Sequence, residues 1–204
     1  IRVAELAMAV ASLAGANRGE LQTLGLAAGL MNLGYLNLRS GVLDAPRELE
    51  KHEWEQVKQH PNYSLEMLAD SDLPAVAREA IADHHEHWDG SGYPLGKKGN
   101  DISLFARIIK LCDAYVALRS HRAYRKQYRP HEAIEFIIAF SGEIFDPELA
   151  TIFARQIPQY PSGVTVLLNS GEGGVISNPN TGHVARPVVR VLGVNGVPVK
   201  RPYE

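Results

Sequence analysis

The sequence predicts a mainly α-helical fold: a helical bundle over residues 1–159, with a small β appendage over residues 160–204 packed on it. Three observations point there. Apolar residues recur at helical spacing through the first three quarters of the chain. Prolines fall where helices begin, at Pro74, Pro130 and Pro147. Past Tyr160 the pattern changes to short β-branched runs separated by glycine turns.

The elements follow in order. IRVAELAMAVASLAG reads as a first helix that Gly15 ends. GELQTLGLAAGLMNLGYL reads as one second, mostly buried helix. Its Gly25, Gly29 and Gly34 weaken helix propensity and so suggest close packing against a neighbour. Residues 37–49 read as a loop. EKHEWEQVKQH is amphipathic, and Pro61 interrupts or restarts it. Pro74 sits at a first helical position and opens a helix running to Trp88. ISLFARIIKLCDAYVAL is an apolar helix carrying one acid, Asp113. PHEAIEFIIAF follows, and then a short helix with Asp146 as N-cap and Pro147 behind it. In the tail, Asn195-Gly196 is a strong hairpin signal. The tail is too small to hold a core alone.

Composition excludes several classes. The chain has 204 residues, 45% hydrophobic and 22% charged, enough for one sizeable core. A formal net charge of −2 argues against a general polyanion binder, so an anion site must be local. With a single cysteine, Cys112, no internal disulfide forms, which fits a reducing compartment. No apolar run reaches the roughly 18–20 residues needed to span a bilayer, and the expected location is the cytoplasm. The chain starts at Ile1 already in helical pattern and reads as part of a longer protein.

The chemistry concentrates in HHEHWDGSGYP, residues 84–94. Neutral imidazole is the commonest metal ligand near neutral pH. Neighbouring residues on a helix point about 100° apart, so His84 and His85 converge on one ion only near a helix end, which the glycine turn supplies. Glu86 or Asp89 would hold a histidine N–H from outside the ligand set. The alternative is a solvated helix terminus where histidines complement the dipole, and this stretch alone does not separate the two.

The same stretch resembles closely the signature of the HD-GYP family, bacterial phosphodiesterases of cyclic di-GMP. KQHP at residues 58–61 looks like the family's histidine-proline segment. PLGKKGNDISLFARIIKLCDAYVAL, RSHRAYRK, FDPEL, the opening IRVAELA and the β tail fall in the family's order. The resemblance implies an HD-domain helical bundle around a metal centre of two or three ions. By it, His60, His84 and His85 hold one ion, Asp113 serves another, and Arg122, Tyr124, Arg125 and Lys126 face the phosphates. It also implies a partner surface for cyclase domains at Gly92, Tyr93 and Pro94.

The family's His-Asp pair and the lysine after it are replaced here. GLMNLGYL puts Met31, Asn32 and Tyr35 at those positions. A neutral amide is a poor bridge between two dications, and a thioether suits neither zinc, manganese nor iron. Met31 reads more simply as core. Val116 stands where a further acid is usual. The expectation is one divalent transition metal (Fe, Mn or Zn), no second metal and impaired hydrolysis. The chain would then be a regulatory or binding module for cyclic di-GMP or for a GGDEF diguanylate cyclase. The alternatives are a weak phosphodiesterase working through a mononuclear three-histidine site and a plain helical interaction domain.

RSHRAYRKQYRP carries five cations and two tyrosines. Arginine suits phosphate because its fork donates two parallel bonds. An ordinary solvated loop is the other reading, and the slightly negative net charge argues against nucleic acid. An exposed apolar first helix would be consistent with a homodimer.

Overall fold

The structure is a computed structural model, and it describes residues 2–38, 41, 42, 45, 47–120, 126–180, 183 and 186–204. Among these the chain forms helices α1 (Arg2–Leu13), α2 (Arg18–Leu30), α3 (Lys51–Val57), α4 (His60–Met67), α5 (Ala75–Asp83), α6 (Leu104–Arg119), α7 (Pro130–Ala139) and α8 (Pro147–Gln156). Strands β1 (Thr165–Leu167), β2 (Glu172–Asn178), β3 (Val188–Val194) and β4 (Val197–Tyr203) follow. The fold is the mainly helical one expected, with a four-stranded antiparallel sheet in the order β1-β2-β3-β4 at the C-terminal end.

The helices pack by their apolar faces. Ala7, Val10 and Ala11 of α1 meet Leu24, Ala27 and Ala28 of α2 in one core. Ile81 of α5, Ile108, Ile109 and Cys112 of α6, Ile134 and Ile137 of α7 and Phe153 of α8 complete it. Ala7, Val10 and Ala11 of the first helix are thus covered within the chain, while its Leu13 is 51% exposed. Small residues allow the close approach: a side chain at Gly25 would press on Met8 Sδ, and one at Gly34 would overlap the backbone of α4. Gly29 has open space around it, so close packing does not explain that glycine.

Several helix ends differ from expectation, and each has a local cause. The second helix stops at Leu30 and continues after a turn as a 3₁₀ helix, Leu33–Asn37. Ser64 makes the break, donating Oγ to Met31 O (2.8 Å) while accepting from Gly34 N (2.7 Å). The break at Pro61 is the expected one: α3 ends at Val57 and α4 restarts at His60 with Pro61 in its first turn. Pro74 is the N-cap rather than the first helical residue of α5. That helix ends at Asp83 instead of Trp88, and His84 is its C-cap. Asp146 caps α8 as expected, accepting from Glu148 N and Leu149 N.

In the sheet, Asn195 (φ +50°) and Gly196 (φ +81°) both take left-handed conformations between the paired residues Val194 and Val197. That is the two-residue hairpin the Asn-Gly pair predicts. His131 of α7 stacks on Tyr160 just before the sheet, with centroids 5.3 Å apart.

Candidate metal centre

Each histidine of the site reaches it from a different local device. His60 opens α4, and its Nδ1 lies 2.7 Å from Val57 O at the end of α3. His84 caps α5, and its Nδ1 turns back to Ile81 O, also at 2.7 Å. A carbonyl can only accept, so in both rings Nδ1 carries the proton and Nε2 keeps its lone pair. Those two Nε2 atoms face each other at 3.2 Å. His85, the next residue along the turn, presents a buried Nε2 with no hydrogen-bond partner. The ligand atoms of the three rings lie within 4.8 Å of one another.

Converging lone pairs repel unless something positive sits among them. Burial keeps protons away: it pulls the His84 pKa down to about 3 and lowers His60 and His85 as well. Nitrogen donors held neutral, pre-oriented and lacking a partner are what a divalent transition metal binds. The residues present therefore fit such an ion. When bound, it would acidify a coordinated water and draw charge from a phosphate oxygen.

The other expected site residues divide. Met31 is 1% exposed and belongs to the hydrophobic core, as a packing side chain. Asn32 forms the half-buried N-cap of the 3₁₀ helix. Tyr35 lies against the His60 ring, centroids 4.2 Å apart. Asp113, on α6, is not among the three residues whose ligand atoms cluster. Its charge acts on Tyr93, Lys110 and Cys112. His87 stands apart from the cluster, its Nδ1 2.9 Å from Ser91 Oγ. Lys126 is exposed, while Arg122, Tyr124 and Arg125 lie outside the described residues.

Glu86 and Asp89 do not hold histidine N–H groups; backbone carbonyls do that work. Asp89 accepts from Ser91 N. Glu86, 1% exposed, accepts from Leu95 N (2.7 Å) and Lys97 N (3.1 Å) across the signature turn. Asp83 anchors the same stretch through Lys97 Nζ at 2.5 Å. Tyr93, whose bond to Pro94 is cis, stacks on His85 with centroids 4.8 Å apart and planes at 14°. Burial pushes its phenol pKa up, so it stays protonated at neutral pH.

Two further groups escaped the sequence reading. Lys110 sits three residues before Asp113 on the same face of α6, and burial lowers its pKa to about 8. Its charge reaches His84, His85 and His87. A lone lysine inside the apolar run ARIIKLC was the available signal. Arg107 pairs with Asp146 at 2.6 Å and lies over the Trp88 ring at 5.6 Å, tying the signature segment to the start of α8.

Comparisons with known proteins give the family and the fold. The family model described as HD domain matches residues 1–149. A cyclic di-GMP phosphodiesterase of Pseudomonas aeruginosa is 34% identical over 169 residues, covering 82% of this chain and 41% of its own length. A 3'3'-cGAMP-specific phosphodiesterase of Vibrio cholerae is 33% identical over 78% of this chain and 31% of its own. Among solved structures, an HDG"Y"P protein from Bdellovibrio bacteriovorus superposes with a TM-score of 0.62 at 18% identity, over 76% of this chain and 49% of that one. The chain belongs to the HD domain family, in its HD-GYP branch. It spans less than half the length of these relatives. Among the described residues no helix is long and apolar enough to cross a membrane.

Proposed function

We propose that this chain is an HD-GYP domain with an impaired hydrolytic centre. It holds one divalent transition metal, Fe, Mn or Zn, on His60, His84 and His85. It works as a regulatory or binding module for cyclic di-GMP or for a GGDEF diguanylate cyclase partner. One observation carries the reading: a complete three-histidine cluster stands in a chain whose neighbouring ligand positions are a core methionine and a neutral amide. A neutral amide is a far poorer bridge between two dications than a carboxylate. Each 1.36 kcal/mol of lost transition-state stabilisation costs about tenfold in rate. The relatives' substrates support a cyclic dinucleotide as ligand. Lys126 and its basic neighbours are the proposed phosphate contacts, and Gly92, Tyr93 and Pro94 the partner surface. There Leu95, 72% exposed, extends the apolar face.

The test is metal content of the purified protein, then cyclic di-GMP turnover and calorimetric binding on the same sample. The expected result is about one metal per chain, turnover near background, and binding of the dinucleotide or of a cyclase domain. Two metals per chain, or rapid cleavage, overturns the proposal. Asn32→Asp restores the anionic group and is expected to raise the metal content above that of the wild type.

Retention of His60, His84, His85 and Asp113 motivates a second reading, a weak phosphodiesterase working through one ion. Three protein nitrogens leave a tetrahedral metal at least one open position for water. Activity that appears with added manganese or iron and vanishes in His84→Ala would establish it. A flat baseline across all metals eliminates it.

A further inference from the structure

Two of the three cluster histidines have their ring planes fixed by a hydrogen bond from Nδ1 to a carbonyl, Val57 O for His60 and Ile81 O for His84. His85 makes no side-chain hydrogen bond among the described residues, and its buried Nε2 is left open. Its ring is oriented by stacking. The Tyr93 ring lies nearly parallel to it, at 14° and 4.8 Å. What holds Tyr93 in place is the path of residues 92–97. Gly92 lies so close to the backbone of Glu86 and His87 that a side chain there would overlap both. Tyr93 N reaches His85 O at 3.3 Å. On the far side of the turn, Leu95 N and Lys97 N both donate to the Glu86 carboxylate.

A carboxylate that is 1% exposed is stable only when its oxygens are well satisfied. Here each oxygen receives one amide of the turn, so the burial cost of Glu86 is tied to the turn's closed shape. The geometry points to Glu86 as a positioning residue: acting through Tyr93, it holds the His85 imidazole in the plane an ion requires. This rests on reading the three histidines as a metal site. Groups that orient a ligand from outside the ligand set typically change metal affinity by 10–100-fold when lost.

The experiment titrates the metal-free full chain with cobalt(II) and records both affinity and the visible ligand-field spectrum. Glu86→Gln replaces one acceptor oxygen with a donor facing an amide, and the turn opens. The expected result is a cobalt affinity weaker by about tenfold or more and an altered spectrum. Tyr93→Ala is expected to reproduce both changes, and Tyr93→Phe, which keeps the ring, to reproduce neither. In the Glu86→Gln, Tyr93→Ala double variant the losses are expected not to add, because both act by one route. A Glu86→Gln protein that melts earlier but keeps wild-type cobalt affinity and spectrum overturns the inference. If that variant does not fold, the Tyr93 pair decides: equal cobalt affinity in Tyr93→Ala and Tyr93→Phe overturns it. A wild-type chain that takes up no cobalt refutes the metal site itself, and the inference with it.

Discussion

Burial keeps the His84 imidazole neutral in the folded chain, with a pKa near 3 against an ordinary value of 6.5. The unfolded chain therefore takes up its proton first as pH falls. Stability is full above about 6.5 and declines as pH drops toward 3. His60 and His85 are lowered for the same reason and add with the same sign. In chelator-treated protein the urea midpoint should be clearly lower near pH 5 than near pH 7.5; an unchanged midpoint would mean the rings are not buried neutral. Ser64 offers a separate test. Its hydroxyl joins the Met31 carbonyl to the Gly34 amide in a buried setting. Ser64→Ala leaves both groups unpaired and should cost about 1–3 kcal/mol in denaturant unfolding. His84 and His85 were legible because their signature is contiguous, His60 through its separate histidine-proline segment, and Met31 because it sits in an apolar run. The role of Glu86 was not, since its partners lie nine and eleven residues onward, across a turn whose path no periodicity encodes.

The element that most directly places His60 is the contact between the 3₁₀ helix and α4. Gly34 touches the backbone of His60 and Ser64, leaving no room for a methyl group. Gly34→Ala should therefore force the two segments apart. We expect a loss of about 1–3 kcal/mol in stability, together with weaker metal binding; a variant as stable as the wild type would refute the contact. Helix existence was legible from periodicity and from proline positions. The start of α8 was legible in Asp146-Pro147, but other helix ends were not, because they are set by side chains from elsewhere: Ser64 stops α2, and Arg78 gathers the carbonyls of Leu68 and Ser71 after α4. The early end of α5 is the one that matters for chemistry. A helix continued to Trp88 would have splayed His84 and His85 about 100° apart, whereas the turn brings their centroids to 4.2 Å.

At the scale of the molecule, the main hydrophobic core draws, among the described residues, on those up to 157. Ile176 and Val191 are buried within the sheet and do not belong to that core. We propose the boundary near residue 159 accordingly. A chain ending there should keep its helical circular dichroism and its full metal content, and loss of metal on truncation would show that the sheet supports the site. The hairpin at Asn195 was legible from two residues, whereas the strand registers were not, because irregularities between Gly173 and Gly174 and between Val191 and Gly193 shift the pairing.

The signature segment is also sewn to the far end of the helical region. Trp88 N donates to Ile144 O at 3.2 Å and Asp89 N to Glu143 O at 2.8 Å. A nascent chain that has left the ribosome only as far as α7 already carries His60, His84 and His85, yet lacks the acceptors that anchor the segment behind them. The segment behind the histidines is thus anchored only once residues 143 and 144 are in place, well after the last of the three histidines has been made.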